Sequence, residues 1–205
     1  NGIYKSIDNG LTWDSISSTA DNNPAGSFNV FDFAWNIVLD PSNLDEDEMY
    51  MATYGSILRS VDGGESWLEE LGGGNAYYNN VNITSDGVVY ATISSDGTGK
   101  GIWRSVDGME WTNIIPDGFG NVYGRTAIGI NPSNENEVYF LTAETENSGQ
   151  FTNTFFGGET WTSLWKYTYL CGDGNDSCGN WVNLSANIPA NRPTTFDNFN
   201  AQGGY

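Results

Sequence analysis

Along most of the chain, apolar and polar residues alternate over four to six positions and then stop at Gly, Asp, Asn or Pro. A period of two cut by turn residues marks short, half-buried strands. No stretch shows the three-to-four spacing of an amphipathic helix, and no apolar run is long enough for a membrane-spanning helix. Two strands, Trp35-Asn36-Ile37-Val38-Leu39 and Thr126-Ala127-Ile128-Gly129-Ile130, each end in Asp/Asn-Pro-Ser-Asn, a turn in which proline fixes φ. Each leads to a second strand, around Met49-Tyr50-Met51-Ala52-Thr53 and Val138-Tyr139-Phe140-Leu141-Thr142. Between them, Val81-Asn82-Ile83-Thr84, a Ser85-Asp86-Gly87 turn and Val88-Val89-Tyr90-Ala91-Thr92-Ile93 repeat the arrangement.

A third and a fourth strand follow each pair. Gly2-Ile3-Tyr4-Lys5-Ser6-Ile7-Asp8-Asn9-Gly10-Leu11-Thr12-Trp13 returns from Ser56 to Trp67 and, one residue shorter, from Gly101 to Trp111. The starts at 2, 56 and 101 are 54 and then 45 residues apart, the period of propeller blades. Small, aliphatic, bulky, basic, Ser is a strand with one apolar face. In Asp-x-Gly the carboxylate accepts backbone N–H groups and glycine supplies φ > 0, and Trp opens the return strand. Each unit therefore has four strands, A to D, and the chain is expected to be all-β, a β-propeller of four-stranded antiparallel blades. The expected layout is a C–D hairpin at 1–17, blades at about 30–72, 77–116 and 123–188, and the start of another at 196–205. About three and a half blades make a partial array, which reads as a fragment of a larger propeller.

The motif resembles the Asp-box (BNR) repeat, Ser-x-Asp-x-Gly-x-Thr-Trp, of sialidases, xyloglucanase-type glycosidases, sortilin-type receptors and large secreted bacterial proteins. Its copies here are Ser6, Asp8, Gly10, Trp13; Ser60, Asp62, Gly64, Trp67; and Ser105, Asp107, Gly108, Trp111. In such propellers these turns lie on the outer rim, which implies that the three aspartates are structural. Propeller regions of large secreted bacterial proteins are the closest in character, and the resemblance implies a secreted or cell-surface setting.

The fourth copy is altered. Phe155-Phe156-Gly157-Gly158-Glu159-Thr160-Trp161 has phenylalanine where the aspartate belongs. A better alignment takes Ser163-Leu164-Trp165-Lys166 as strand C and Trp181-Val182-Asn183-Leu184 as strand D, with residues 144–161 as an insertion between strands B and C. A disulfide between Cys171 and Cys178 would then stand in for the missing turn, in keeping with an oxidising compartment.

Composition narrows the function. A net charge of −19, with seven Lys plus Arg, disfavours nucleic acid and anionic membranes as partners. The absence of histidine excludes Ser-His-Asp and Cys-His catalysis and ordinary zinc sites within this segment. No cofactor is expected, with one alternative: Asp173, Asn175 and Asp176 space oxygen donors as a calcium loop does, without its distal glutamate. The Asp45-Glu46-Asp47-Glu48 run reads as a hairpin tip.

Strands D to A are joined by aromatic and amide-rich segments carrying Asp32, Trp35, Tyr77, Tyr78, Asn79, Tyr123, Arg125, Asp197 and Gln202. In the resembled family, D–A and B–C loops build the functional face. Aromatics beside Asn, Asp and Gln can stack on sugar rings and bond hydroxyls, or they can pack blade against blade. Two functions follow. One is a non-catalytic module recognising a glycan or protein, with other β-structure at its open edges. The other is a glycoside hydrolase using Asp32 and Asp197, with further catalytic residues outside this segment. A sialidase arginine triad cannot be assembled, because Arg59 and Arg104 occupy the basic position of strand C, leaving Arg125 and Arg192.

Overall fold

The computed structural model describes residues 2–20, 30–72, 74–146, 148–153 and 159–188. The chain is all-β apart from short 3-10 turns. It opens on a hairpin, β1 (Tyr4–Lys5) and β2 (Asp14–Ser15). The first blade is β3 (Ala34–Leu39), β4 (Met49–Thr53), β5 (Ser56–Ser60) and β6 (Leu68–Gly72), paired in that order. The second is β7 (Asn79–Ile83), β8 (Val89–Ile93), β9 (Gly101–Ser105) and β10 (Thr112–Asn113). The third holds β11 (Thr126–Ile130), β12 (Glu137–Ala143), β13 (Gln150–Asn153), β14 (Glu159–Tyr169) and β15 (Gly179–Asn183). All pairings are antiparallel, and the described strands form partial propeller blades without closing on themselves.

Burial explains the strand compositions. Every residue of β4 and β8, the second strands of their blades, is buried, because both faces of the sheet meet other protein. Those strands are accordingly apolar on both faces, whereas outer β6 carries Glu69 and Glu70. The core is a pair of clusters between blades. Tyr50, Ala52 and Ile57 of the first blade meet Val81, Val89 and Ala91 of the second. Tyr90, Ile102 and Ile114 of the second meet Val138, Phe140, Trp165 and Tyr167 of the third.

Polar side chains also cross between blades. Asn36 Nδ2 donates to Val81 O (2.6 Å), Thr92 Oγ1 donates to Thr126 O (2.9 Å), and Ser85 gives both its N–H and hydroxyl to Glu135. The basic residues of strand C are held in different ways. Arg59 bonds Glu48 (2.6 Å), Lys166 bonds Glu137 (3.1 Å), Lys5 reaches Asp47 of the next blade, and Arg104 lies over the Tyr169 ring. Burial opposes ionisation of Glu48, yet hydrogen bonds from Arg59, Tyr50 and Asn43 outweigh it and hold its pKa below the ordinary value.

Two of the three turns, Asp62-Gly63-Gly64 and Asp8-Asn9-Gly10, share one wiring. Asp62 Oδ1 accepts from the Ser60 hydroxyl (2.8 Å) and Ser66 N (2.9 Å), and Oδ2 accepts from the Ser66 hydroxyl (2.6 Å). Ser60 Oγ in turn accepts Gly64 N, and the Trp67 indole donates to Gly64 O. Asp8 repeats this with Ser6 and Thr12. Asp107, in the shorter copy, takes the N–H groups of Met109 and Glu110 instead. Gly64 (φ +94°) and Gly108 (φ +71°) lie in the left-handed region. Each also touches the preceding unit: a Cβ would press on Ile16 at Gly64 and overlap the Tyr50 hydroxyl at Gly108.

The third blade departs from the others. Residues 144–161, read from the sequence as an insertion, contribute a hairpin: β13 pairs with the start of a long β14, Phe151 opposite Trp161. The rest of β14 pairs with β15, Trp165 opposite Asn183. Between them Cys171 and Cys178 are disulfide-bonded, and Tyr167 and Tyr169 donate their hydroxyls to Gly174 O and Gly172 O of that loop.

These turns predict an acid-sensitive stability. Hydrogen bonds, that from the Ser66 hydroxyl foremost, lower the Asp62 pKa from 3.8 to about 2. A depressed carboxylate pKa gives stability that is full above the unfolded value and is lost as pH falls from about 4 to about 2. Asp62→Asn should lower Tm by several degrees at pH 7 and narrow the difference between pH 7 and pH 2.5. An unchanged Tm at pH 7 would contradict this role.

Candidate functional site

The D–A segments and B–C loops gather at one end of the strands, and hydrogen bonds tie each to its neighbour. Tyr54 N, in the B–C turn of the first blade, donates to Phe33 O, and Gly55 N donates to Ala76 O. Tyr77 N donates to Asp96 Oδ2 (3.1 Å), and Tyr78 N to Ser94 Oγ (3.0 Å), both in the next B–C loop. Ser95 N donates to Tyr123 O, and Gly124 N to Ala143 O. The loops of this end are therefore braced by the blades rather than by their own contacts.

An aromatic cluster crowns the first two blades. Trp35, the second residue of β3, donates its indole N–H to Tyr77 O (2.8 Å). Its ring centroid lies 5.9 Å from Tyr77 and 5.3 Å from Tyr78. Tyr77 meets Tyr78 at 4.8 Å and Tyr54 edge-on at 5.7 Å, and Phe33 extends the row at 6.5 Å from Trp35. The Arg125 guanidinium stands over Trp35, 6.0 Å from the ring. Tyr77 is 41% exposed, so the cluster presents an open aromatic surface. Asp32 is half-buried in the short 3-10 turn Val30–Phe33 that leads into β3, one residue before the Phe33 of this row.

Two of the candidates lie underneath. Asn79 is 1% exposed and donates to Thr53 O at 2.6 Å, which fastens the second blade to the first. Tyr123 is 3% exposed and packs edge-on against Phe119 at 5.1 Å. Burial pushes its phenol pKa well above the ordinary value, and its hydroxyl has no hydrogen-bond partner among the described residues. Asp197 and Gln202 lie outside the described residues. In the Cys171–Cys178 loop, Asp173 Oδ1 accepts Asn175 N and Asn175 Oδ1 accepts Asp176 N. Among the described residues no three His, Cys, Asp or Glu side chains converge as metal ligands.

Tyr54 and Asp96 are members of this end that the D–A segments alone do not reveal. Both come from B–C loops, and only the pairing of β4 with β5 and of β8 with β9 brings them to it. Their signal in the sequence is position: Tyr54 follows Thr53, the last residue of β4, and Asp96 follows Ile93, the last residue of β8, by three.

No family model matches the chain. It is 28% identical to a xyloglucanase of a Paenibacillus species, and 27% identical to Xyloglucanase Xgh74A of Acetivibrio thermocellus, over 82% of its own length in each case. The aligned region makes up 19% and 23% of those proteins, so the chain spans about a fifth of the length of the curated relatives it matches. It is thus similar to part of two proteins named as xyloglucanases, and its sheets are propeller blades like those its repeats predict.

The burial of Tyr123 yields a prediction. A buried hydroxyl without a partner costs about 1–3 kcal/mol. Tyr123→Phe should therefore leave Tm unchanged or raise it, and should not alter ligand binding at the exposed aromatics. A lowered Tm would contradict the placement.

Proposed function

We propose that this chain is the glycan-recognising part of a secreted or cell-surface propeller related to xyloglucanases, and that its own described residues bind rather than cleave. The observation that carries the reading is the Trp35–Tyr54–Tyr77–Tyr78 cluster, flanked by Asp32, Asp96 and Arg125. Flat rings with carboxylates at their margin suit a neutral polysaccharide: sugar C–H faces stack on the rings, and hydroxyls donate to the acids. The overall charge of −19 disfavours a polyanion. The three Ser/Asp/Gly/Trp turns fit the Asp-box pattern and serve as rim structure, and the disulfide suits an oxidising setting. In this reading the open blade edges meet other β-structure of a larger propeller.

A second reading is supported by the names of the relatives. Asp32 stands beside the aromatic row, where one carboxylate of a glycosidase pair could act, with its partner supplied by Asp197 or by chain beyond this segment. One assay separates the two. The full chain on immobilised xyloglucan should be retained without releasing reducing sugar, and Tyr77→Ala should weaken retention on the order of tenfold, ~1.4 kcal/mol. Reducing sugar released by the wild type and lost in Asp32→Asn would overturn the binding reading in favour of the hydrolase.

A further inference from the structure

Between the end of the second blade and the disulfide loop of the third lies a cleft of about 340 Å³. An adjoining hollow of about 480 Å³ shares Ile115, Pro116 and Asp117 with it, so the two run together as one groove. Ile114, Trp165 and Trp181 line the cleft on its apolar side. Trp181 is held by the rings of Tyr167 (4.9 Å), Phe140 (5.3 Å) and Trp165 (6.3 Å), which fix its plane. Trp165 is only 7% exposed, and its indole N–H has no acceptor among the described residues.

The polar side of the cleft is also unpaired. Asp117 comes from the second blade and Asp176 from the disulfide loop, and both are exposed. Neither carboxylate is bonded to or ion-paired with any described residue. Asp176 lies at φ +49°, a left-handed conformation that aspartate adopts more readily than most residues, within a loop clamped by Cys171–Cys178. Fixed indoles, a buried donor without a partner and two free acceptors therefore line one groove.

We infer that this groove is a second carbohydrate subsite, taking a neutral pyranose whose C–H face lies on Trp181 and whose hydroxyls donate to Asp117 and Asp176. The acids repel anionic sugars, and among the described residues no three His, Cys, Asp or Glu side chains converge as metal ligands. The subsite is built from the second and third blades, whereas the Trp35–Tyr77 cluster is built from the first and second. The two can therefore fail independently.

Isothermal titration of the full chain with cellohexaose and with soluble xyloglucan tests the inference. The variant combines Asp117→Ala with Asp176→Gly, which suits the φ at that position and leaves the apolar floor intact. Circular dichroism and Tm should match the wild type. The variant should bind at least one probe on the order of tenfold more weakly, while Tyr77→Ala retains a measurable groove signal. Unchanged affinity for both probes in the double variant would overturn the groove and leave the aromatic face standing. A wild type that gives no heat with either probe would overturn both sites.

Discussion

Burial of the second strand of the first and second blades on both faces is the constraint from which the rest follows. β4 and β8 expose nothing, so neither sheet is complete without its neighbours. Tyr50, Tyr90 and Tyr167, each about 1% exposed or less, are the largest fully buried side chains of the core. The Asp-x-Gly turns serve the same contact from the rim. Their hydrogen bonds set the path of the chain, and Gly64 and Gly108 let it approach Ile16 and Tyr50 of the preceding unit. The opening hairpin shows what the constraint costs when it is only half met. Trp13 and Tyr4 are 60% and 54% exposed, whereas the equivalent Trp67 and Trp111 are half-buried and Leu58 is fully buried.

The candidate face inherits its rigidity from this packing. Its loops are fastened by one blade's backbone to the next blade's B–C loop, as in Tyr78 to Ser94 and Tyr123 to Ser95. Trp35 is oriented by a hydrogen bond to a carbonyl two strands away in another blade. An aromatic surface held in this way loses little conformational entropy on binding, which favours a modest polysaccharide contact. The same packing creates the groove at the second interface, where the disulfide loop replaces an Asp-x-Gly turn and holds Asp176 opposite Asp117.

The strands were legible in the sequence because alternation and turn residues are local signals. The repeated Ser, Asp, Gly and Trp announced the turns, and their hydrogen bonds are local too. What depended on neighbours was not legible. Asn79 and Tyr123 look like face residues in a polar-aromatic segment, but one bonds Thr53 across the blade interface and the other packs on Phe119. Glu159, Thr160 and Trp161 close a damaged turn motif in sequence, yet they pair in a strand with residues 151–153, Phe151 opposite Trp161. The groove draws on residues 114–117, 165 and 174–181, which no single motif unites.

The central claim, that the exposed end of the first two blades is a sugar-binding surface, is tested most directly by nuclear magnetic resonance. A 15N–1H spectrum of the full chain titrated with a xyloglucan oligosaccharide reports on the Trp35 indole N–H, now bonded to Tyr77 O, and on the amides of Tyr77 and Tyr78. The account predicts saturable shifts at these signals, with the rim amides of Ser60 to Trp67 unmoved. Shifts confined to the rim, or none at any ratio of sugar to protein, would contradict it.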